Sequence, residues 1–148
     1  MSSSTIESRL RACGLLLVER PAACPTSPTP REAFHLAVGF TTSPSERIPK
    51  RSPDAVERTT QAWLSHARST GVIAEDDDTL LVAAAIDGPW LRVRLPRPAF
   101  SLAPLADPQG DIELTTRSHS GDRVCAISTD DGEYWIISEP CPPEDPWA

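Results

Sequence analysis

The chain has 148 residues, of which 39% are hydrophobic, and a formal net charge of -7. This length suits one domain with its own core and is too short for two domains of ordinary size. The negative charge argues against a nucleic-acid backbone or an anionic membrane surface as the main partner, because both attract clustered positive charge. We therefore expect a single domain over residues 1–148 that meets a basic or polar partner.

The first forty residues predict a helix, a connector and a strand. A capping-box spacing at Ser4 and apolar residues at helical intervals predict a helix over residues 5–17. Gly14 leaves an alternative in which the helix stops near Cys13 and a short strand follows through Val18. Prolines make residues 21–31 a connector, and the alternation that runs from Phe34 to Phe40 predicts a strand.

The main helix is predicted to start at Ser52, which can cap the free amides, with Pro53 in the first helical position. Gly71 supplies the left-handed residue that ends a helix. Between them, residues at intervals of three and four form one apolar stripe: Val56, Thr60, Trp63, Leu64 and Ala67.

Two alternating strands follow the main helix and are joined at Asp87-Gly88, a strong hairpin signal. A loop of two or four residues places Leu80, Val82 and Ala84 on one face, opposite Leu91, Val93 and Leu95. Four prolines then make residues 96–110 a long surface loop.

Three more strands are predicted at residues 112–117, 123–129 and 133–138, with glycine-containing turns between them. A two-residue turn at Asp131-Gly132 puts Cys125, Ile127, Tyr134 and Ile136 on one face and Ala126 and Ile137 on the other. Residues 139–148 form an acidic, proline-rich tail.

The element order α-β-α-β-β-β-β-β predicts the α+β class. We expect a single curved, mainly antiparallel sheet of about five to six strands, with two helices packed on one face.

The four cysteines, Cys13, Cys24, Cys125 and Cys141, stay thiols in a cytosolic protein and form two disulfides in an exported one. If a bridge exists, Cys141 tethers the tail to Cys125 or Cys13. No pair has the spacing of a zinc knuckle or a dithiol motif, so we expect neither a metal nor another cofactor.

Catalytic signatures are absent from the sequence. His35, His66 and His119 lie far apart beside no motif, and are interpreted as surface histidines. The acidic run Asp76-Asp77-Asp78 lacks the alternation of a calcium loop, and no nucleophile elbow, phosphate loop or dinucleotide fingerprint occurs. The sequence therefore favours a non-enzymatic protein and identifies no catalytic residue.

One cluster is a candidate binding site. Arg92 and Arg94 project from the non-core face of the hairpin beside Trp90, with Arg97 just beyond. Such a cationic, aromatic-edged patch can bind a carboxylate or an acidic partner. Arginines on a sheet face also guard it against edge-to-edge association, and that interpretation is favoured.

Several stretches from the second helix onward resemble small actinobacterial lipoproteins and exported proteins of unknown function. They are the Trp63 helix, Gly71, the run at residues 77–82, Asp87-Gly88-Pro89-Trp90, and Ser138-Glu139-Pro140-Cys141. The resemblance covers about half of the chain and implies neither an activity nor a cofactor. The chain departs from that pattern at its start, where no signal sequence or lipobox is found.

Three functions are compared. The first is a non-enzymatic interaction module, such as an immunity-like protein or accessory factor whose acidic surface meets a basic protein. The second is a small-molecule-binding or catalytic cone similar to nuclear-transport-factor-like folds, with a pocket lined by Trp63, Tyr134 or Trp135. The third is an exported, disulfide-stapled protein with a misassigned start. As written, the chain is expected in the cytoplasm, with no membrane span and no nucleic-acid partner.

Overall fold

The computed structural model describes residues 8–18, 29–38, 44–75, 78–83, 90–95, 100–130 and 132–140. They form an α+β fold on one open antiparallel sheet of seven strands, which confirms the predicted class and exceeds the expected strand count. The elements are α1 at residues 8–12, β1 (Leu16–Leu17), α2 (Pro30–Val38), β2 (Glu46–Pro49), α3 (Ala55–Ser69), β3 (Thr79–Ala83), β4 (Trp90–Arg94), a 3-10 turn (Ala103–Leu105), β5 (Leu114–Arg117), β6 (Arg123–Asp130) and β7 (Glu133–Pro140). Across the sheet the strands are ordered β1-β4-β3-β5-β6-β7-β2.

The first helix stops early, as the alternative prediction has it, and does not continue to residue 17. Gly14 adopts a φ of 103°, and its N–H donates to the carbonyl of Arg11. The N–H of Leu15 donates to the carbonyl of Leu10, which completes a glycine-centred helix ending. The chain therefore leaves α1 at Cys13 and enters β1.

The predicted strand from Phe34 to Phe40 is wrong, because α2 spans most of it. The N–H of Glu32 donates to Thr29 Oγ1 at 3.2 Å, and the N–H of Thr29 donates to Glu32 Oε1 at 2.8 Å. This reciprocal capping box, with Pro30 as the first helical residue, starts a helix that local alternation did not reveal. It also shortens the predicted connector, since α2 begins inside residues 21–31.

The main helix α3 begins two residues later than predicted. The N–H of Ser52 donates to the carbonyl of Pro49, so Ser52 belongs to the turn that follows β2, and Asp54 occupies the N-cap position. The end of the helix is as predicted, because Gly71 adopts a φ of 83° after the last turn. Of the predicted stripe, Thr60, Trp63 and Ala67 are buried, and Val56 and Leu64 pack against the core.

The hairpin of β3 and β4 has the predicted faces but a different register. Leu80 pairs with Val93, and Val82 pairs with Leu91, whereas a loop of two or four residues centred on Asp87-Gly88 would pair Val82 with Val93. The last described pair of this ladder joins Ala83 to Trp90. The predicted Ala84 and Asp87-Gly88 positions lie outside the described residues.

The strands β6 and β7 are joined by the predicted two-residue turn, because Asp130 pairs with Glu133. Both assigned faces are confirmed, and each is buried. The strand β5 begins at Leu114 and not at residue 112, since the N–H of Ile112 donates to the side-chain Oγ1 of Thr129 on β6 and not to a backbone carbonyl. The strand β7 extends to Pro140, into the predicted tail.

The two faces of the sheet are covered by different helices. We call the first the α3 face: α1 and α3 both pack there, which confirms that the two predicted helices share a face, and Leu10 and Trp63 join its core. The second we call the α2 face, because α2 contacts β5, β6 and β7 beside the buried Ala126 and Ile137. This second layer was not predicted.

The described part of the loop at 96–110 packs onto the α3 face and is not a simple surface excursion. Leu102 is fully buried, Leu105 is nearly so, and the Phe100 ring lies 5.9 Å from the Trp63 ring. The N–H of Leu102 donates to Thr60 Oγ1. Within the described ranges, no helix is long and apolar enough to cross a membrane.

Candidate functional site

The predicted arginine patch lies on β4, on the α2 face of the sheet. Trp90 and Arg92 are half-buried, Arg94 is exposed, and Arg97 lies outside the described residues. Each of the three described side chains makes further contacts within the protein, so none of them is free. β4 is also the second strand of the sheet and not its edge, because β1 pairs with it.

A buried cation belongs to this patch and was missed in the sequence. Arg117 on β5 is fully buried, and its guanidinium lies over the Trp90 ring at 5.4 Å. It donates through Nε to the carbonyl of Ser118 and through Nη2 to the carbonyl of His119, each at 3.0 Å. The alternation of side chains along the strands could have identified this residue, because it places Arg117 on the same face of the sheet as Arg92. The buried part of the patch therefore contributes to the packing of the protein.

The three histidines occupy separate places. His35 is exposed on α2, whereas His66 Nε2 lies 3.1 Å from Glu46 Oε1. His119 Nε2 lies 2.8 Å from the hydroxyl of the fully buried Thr79. The structure therefore brings no two of them together, and the predicted surface role fits His35 best.

Asp78, from the predicted acidic run, and Asp107, in the loop before β5, each accept hydrogen bonds from neighbouring groups. Asp78 is 8% exposed with a φ of 58°, and accepts a hydrogen bond from Arg68 Nη1, while Asp76 and Asp77 lie outside the described residues. In the later loop, Asp107 Oδ1 accepts hydrogen bonds from the N–H groups of Gln109 and Asp111. Among the described residues, no three His, Cys, Asp or Glu side chains form a group that could hold a metal ion.

A lysine joins β2 to the loop before β5. Lys50 Nζ lies 2.5 Å from Asp111 Oδ1, and this hydrogen bond raises the pKa of Lys50 above its ordinary value. On β7, Tyr134 donates its hydroxyl to the carbonyl of Gly110, and burial raises the pKa of Tyr134. These two contacts attach the turn at residues 107–111 to the end of the sheet.

Two of the four cysteines are described, and both are buried free thiols. Burial raises the pKa of Cys13 to about 11 and that of Cys125 to about 12. Both pack in the core of the α3 face, and Cys125 lies there beside Ile127, on the face that alternation predicts. Cys24 and Cys141 lie outside the described residues, and the disulfide alternative stays a prediction.

An open groove of about 480 Å³ lies between the edge strand β2 and the outer flank of α3. Helical spacing aligns its α3 residues, and one residue of β2 faces them. Its lining consists of Glu46, Asp54, Glu57, Arg58, Gln61 and Ala62. Three carboxylates thus face one guanidinium, which gives the groove an excess of negative charge.

The groove was not identified from the sequence. Periodicity assigns Glu57, Arg58 and Gln61 to the polar side of the main helix, so half of the lining could be found from spacing. Glu46 comes from another element, and only the position of β2 at the edge of the sheet brings it beside α3.

No protein-family model matches the chain, and no curated protein or solved structure is significantly similar to it. The resemblance to small actinobacterial lipoproteins and exported proteins therefore stays a prediction.

Proposed function

We propose that the protein is a non-enzymatic interaction module, similar in role to an immunity protein or accessory factor, whose acidic surface binds a basic partner protein. The observation that carries this proposal is the groove between β2 and α3, where Glu46, Asp54 and Glu57 outnumber Arg58. The net charge of -7 of the whole chain also favours a basic partner, because it attracts a cationic protein during diffusional encounter.

The groove supports this function better than the arginine patch does. Glu57 and Arg58 are exposed, and both lie on a helix whose opposite side is fixed by the core. In the patch, by contrast, Arg117 is fully buried and already donates to two carbonyls. The exposed Glu57 can bind a partner's cation directly, whereas Glu46 would share its carboxylate with His66 Nε2, which lies 3.1 Å from Glu46 Oε1.

Affinity purification of the full-length chain from its host tests the proposal. We expect a reproducible partner that elutes as salt is raised, because exposed ion pairs are screened. The double variant Glu46→Gln and Glu57→Gln should lose this partner, whereas Glu75→Gln, which removes an exposed carboxylate elsewhere, should retain it. A partner that ignores both salt and the groove variant contradicts the proposal, as does the absence of any partner.

A second candidate function is a small-molecule-binding cone. Two polar atoms on α3, Thr59 Oγ1 and the indole Nε1 of Trp63, are buried among the described residues without a hydrogen-bond partner. Buried polar groups normally have one, and a small polar ligand between α3 and the sheet could supply it. Tyr134 is buried on the same face, whereas Trp135 lies on the α2 face. Native mass spectrometry of the purified protein tests this candidate, since a retained small molecule supports it and its absence opposes it.

A further inference from the structure

The strand β2 forms one edge of the described sheet, and its outer side can receive another strand. Its sole partner in the sheet order is β7, and Arg47 and Pro49 are exposed. The N–H of Lys50 donates to the carbonyl of Gly132, so Lys50 bonds toward β7. Because antiparallel ladders alternate, Arg47 directs its N–H and C=O outward. An incoming antiparallel strand could therefore exchange two hydrogen bonds with Arg47.

The groove lies on the α3 face of this same edge. Glu46 shares that face with Ile48, whereas Arg47 lies on the α2 face, where its guanidinium is 5.0 Å from the centre of the Trp135 ring. In an added strand, the residue opposite Arg47 would lie beside this guanidinium. Its two neighbours would lie on the α3 face, beside Glu46 and the flank of α3.

We propose that an extended basic segment of the partner protein adds to β2 as an antiparallel eighth strand, with its basic residues at every second position. This inference rests on the proposed function and specifies how the partner is recognised. The cations at alternate positions lie in the groove, and the intervening residue, opposite Arg47, is uncharged because a cation there would face a guanidinium. Backbone bonds supply the pairing and the alternate side chains supply the specificity, as in other strand additions.

Pro49 limits the length of this contact. Its backbone faces the outer side of the edge strand β2 but has no N–H. It can therefore accept a hydrogen bond from a partner strand but cannot donate one. Prolines of this kind also protect a strand against unrestricted pairing between identical chains. The contact is therefore short and centred on Arg47, and its specificity depends on the charges in the groove.

Synthetic peptides can test strand addition directly. The probe is a short capped peptide of alternating lysine and threonine, fluorescently labelled, whose binding to the full-length chain is followed by anisotropy at low salt. The first comparison peptide has the same composition with its lysines contiguous. Two more carry backbone N-methyl groups, one on the threonines, whose N–H groups would face Arg47, and one on the lysines, whose N–H groups would face away.

We expect the alternating peptide to bind best. Methylation of the threonines should weaken binding about tenfold relative to methylation of the lysines, because it removes the hydrogen bonds to β2. Glu57→Gln in the protein should weaken binding about two- to fivefold, which is the range for an exposed ion pair, and the control Glu75→Gln should not change it.

The outcomes separate this inference from the proposed function. Equal effects of the two methylations, or equal binding of the alternating and contiguous peptides, overturn strand addition but leave a charge-driven partner. Strand addition is also overturned, and a charge-driven partner retained, if no peptide binds while the host partner still requires Glu46 and Glu57. Failure of both the peptides and the host partner overturns the inference and the function together.

Discussion

The guanidinium carbon of Arg117 lies 5.4 Å from the centre of the Trp90 ring, which places a fully buried cation against a half-buried aromatic side chain. This contact connects β5 to β4 across the intervening strand β3. It shows that part of the cluster resembling a surface patch in the sequence contributes to the packing of the α2 face.

The contact between Arg117 and Trp90 should be measurable as a coupling energy. In a double-mutant cycle with Arg117→Met and Trp90→Leu, we expect the pair to contribute about 1 to 2 kcal/mol to the free energy of unfolding, because the cation is desolvated. Urea unfolding of the four proteins measures this value. If the two substitutions have strictly additive effects on the free energy of unfolding, the contact between Arg117 and Trp90 does not stabilise the protein.

The ion pair of Lys50 should make stability fall in alkaline solution. The hydrogen bond to Asp111 raises the pKa of Lys50 above 10.5, so the folded chain holds this proton more tightly than the unfolded chain. The stabilisation is therefore complete below about pH 10.5 and is lost as pH rises through the raised pKa.

Urea midpoints of the wild type and Lys50→Met test this pH dependence. The wild type should be the more stable at neutral pH, and the difference should shrink above about pH 10.5. Lys50 lowers the pKa of Tyr134 through charge, so Lys50→Met also changes the titration of Tyr134, and the comparison measures the two groups together. The control Arg51→Met removes an exposed neighbouring cation, and its difference from the wild type should stay constant. A constant difference for Lys50→Met as well would show that the ion pair contributes nothing.

The residue after α3 needs a left-handed backbone. Gly71 has a φ of 83°, and a Cβ added there would meet no atom within 4 Å. Gly71→Ala should therefore cost about 1 kcal/mol through backbone strain alone, and Gly71→Asn should cost less because asparagine tolerates this conformation. Thermal or urea unfolding compares the variants. An alanine variant as stable as the asparagine variant would contradict this explanation.

The buried thiols should resist alkylation in the native protein. Burial raises the pKa of Cys13 to about 11 and that of Cys125 to about 12, so little reactive thiolate exists at neutral pH. Treatment with iodoacetamide followed by peptide mass mapping should modify both only after unfolding in urea. Rapid native labelling of either thiol contradicts the described burial. The same map reports whether Cys24 and Cys141 are free, which tests the disulfide alternative.

Elements were predicted correctly where the local sequence pattern matches the place that the element takes in the sheet. The two faces of the hairpin at Asp131-Gly132 follow from alternation and a two-residue turn, and both are confirmed. The predicted register of β3 and β4 was wrong by two residues, because Val82 pairs with Leu91 and not with Val93.

The strand prediction at Phe34 failed because two local signals compete there. Apolar alternation indicates a strand, but Thr29, Pro30 and Glu32 form a helix start that determines the structure. The groove could not be predicted as a unit, because Glu46 reaches α3 only through the return of β2 to the far edge of the sheet. Such long-range placement leaves no periodic signal.

The position of Lys50 has a practical consequence for any binding assay. It supplies the chain's one side-chain amine, and it lies at the turn just after the edge strand β2. Amine-reactive dyes and surface-coupling reagents would target it, neutralise its ion pair with Asp111 and place a bulky adduct beside the proposed docking edge. Labels therefore belong on the peptide, and immobilisation should use a terminal affinity tag.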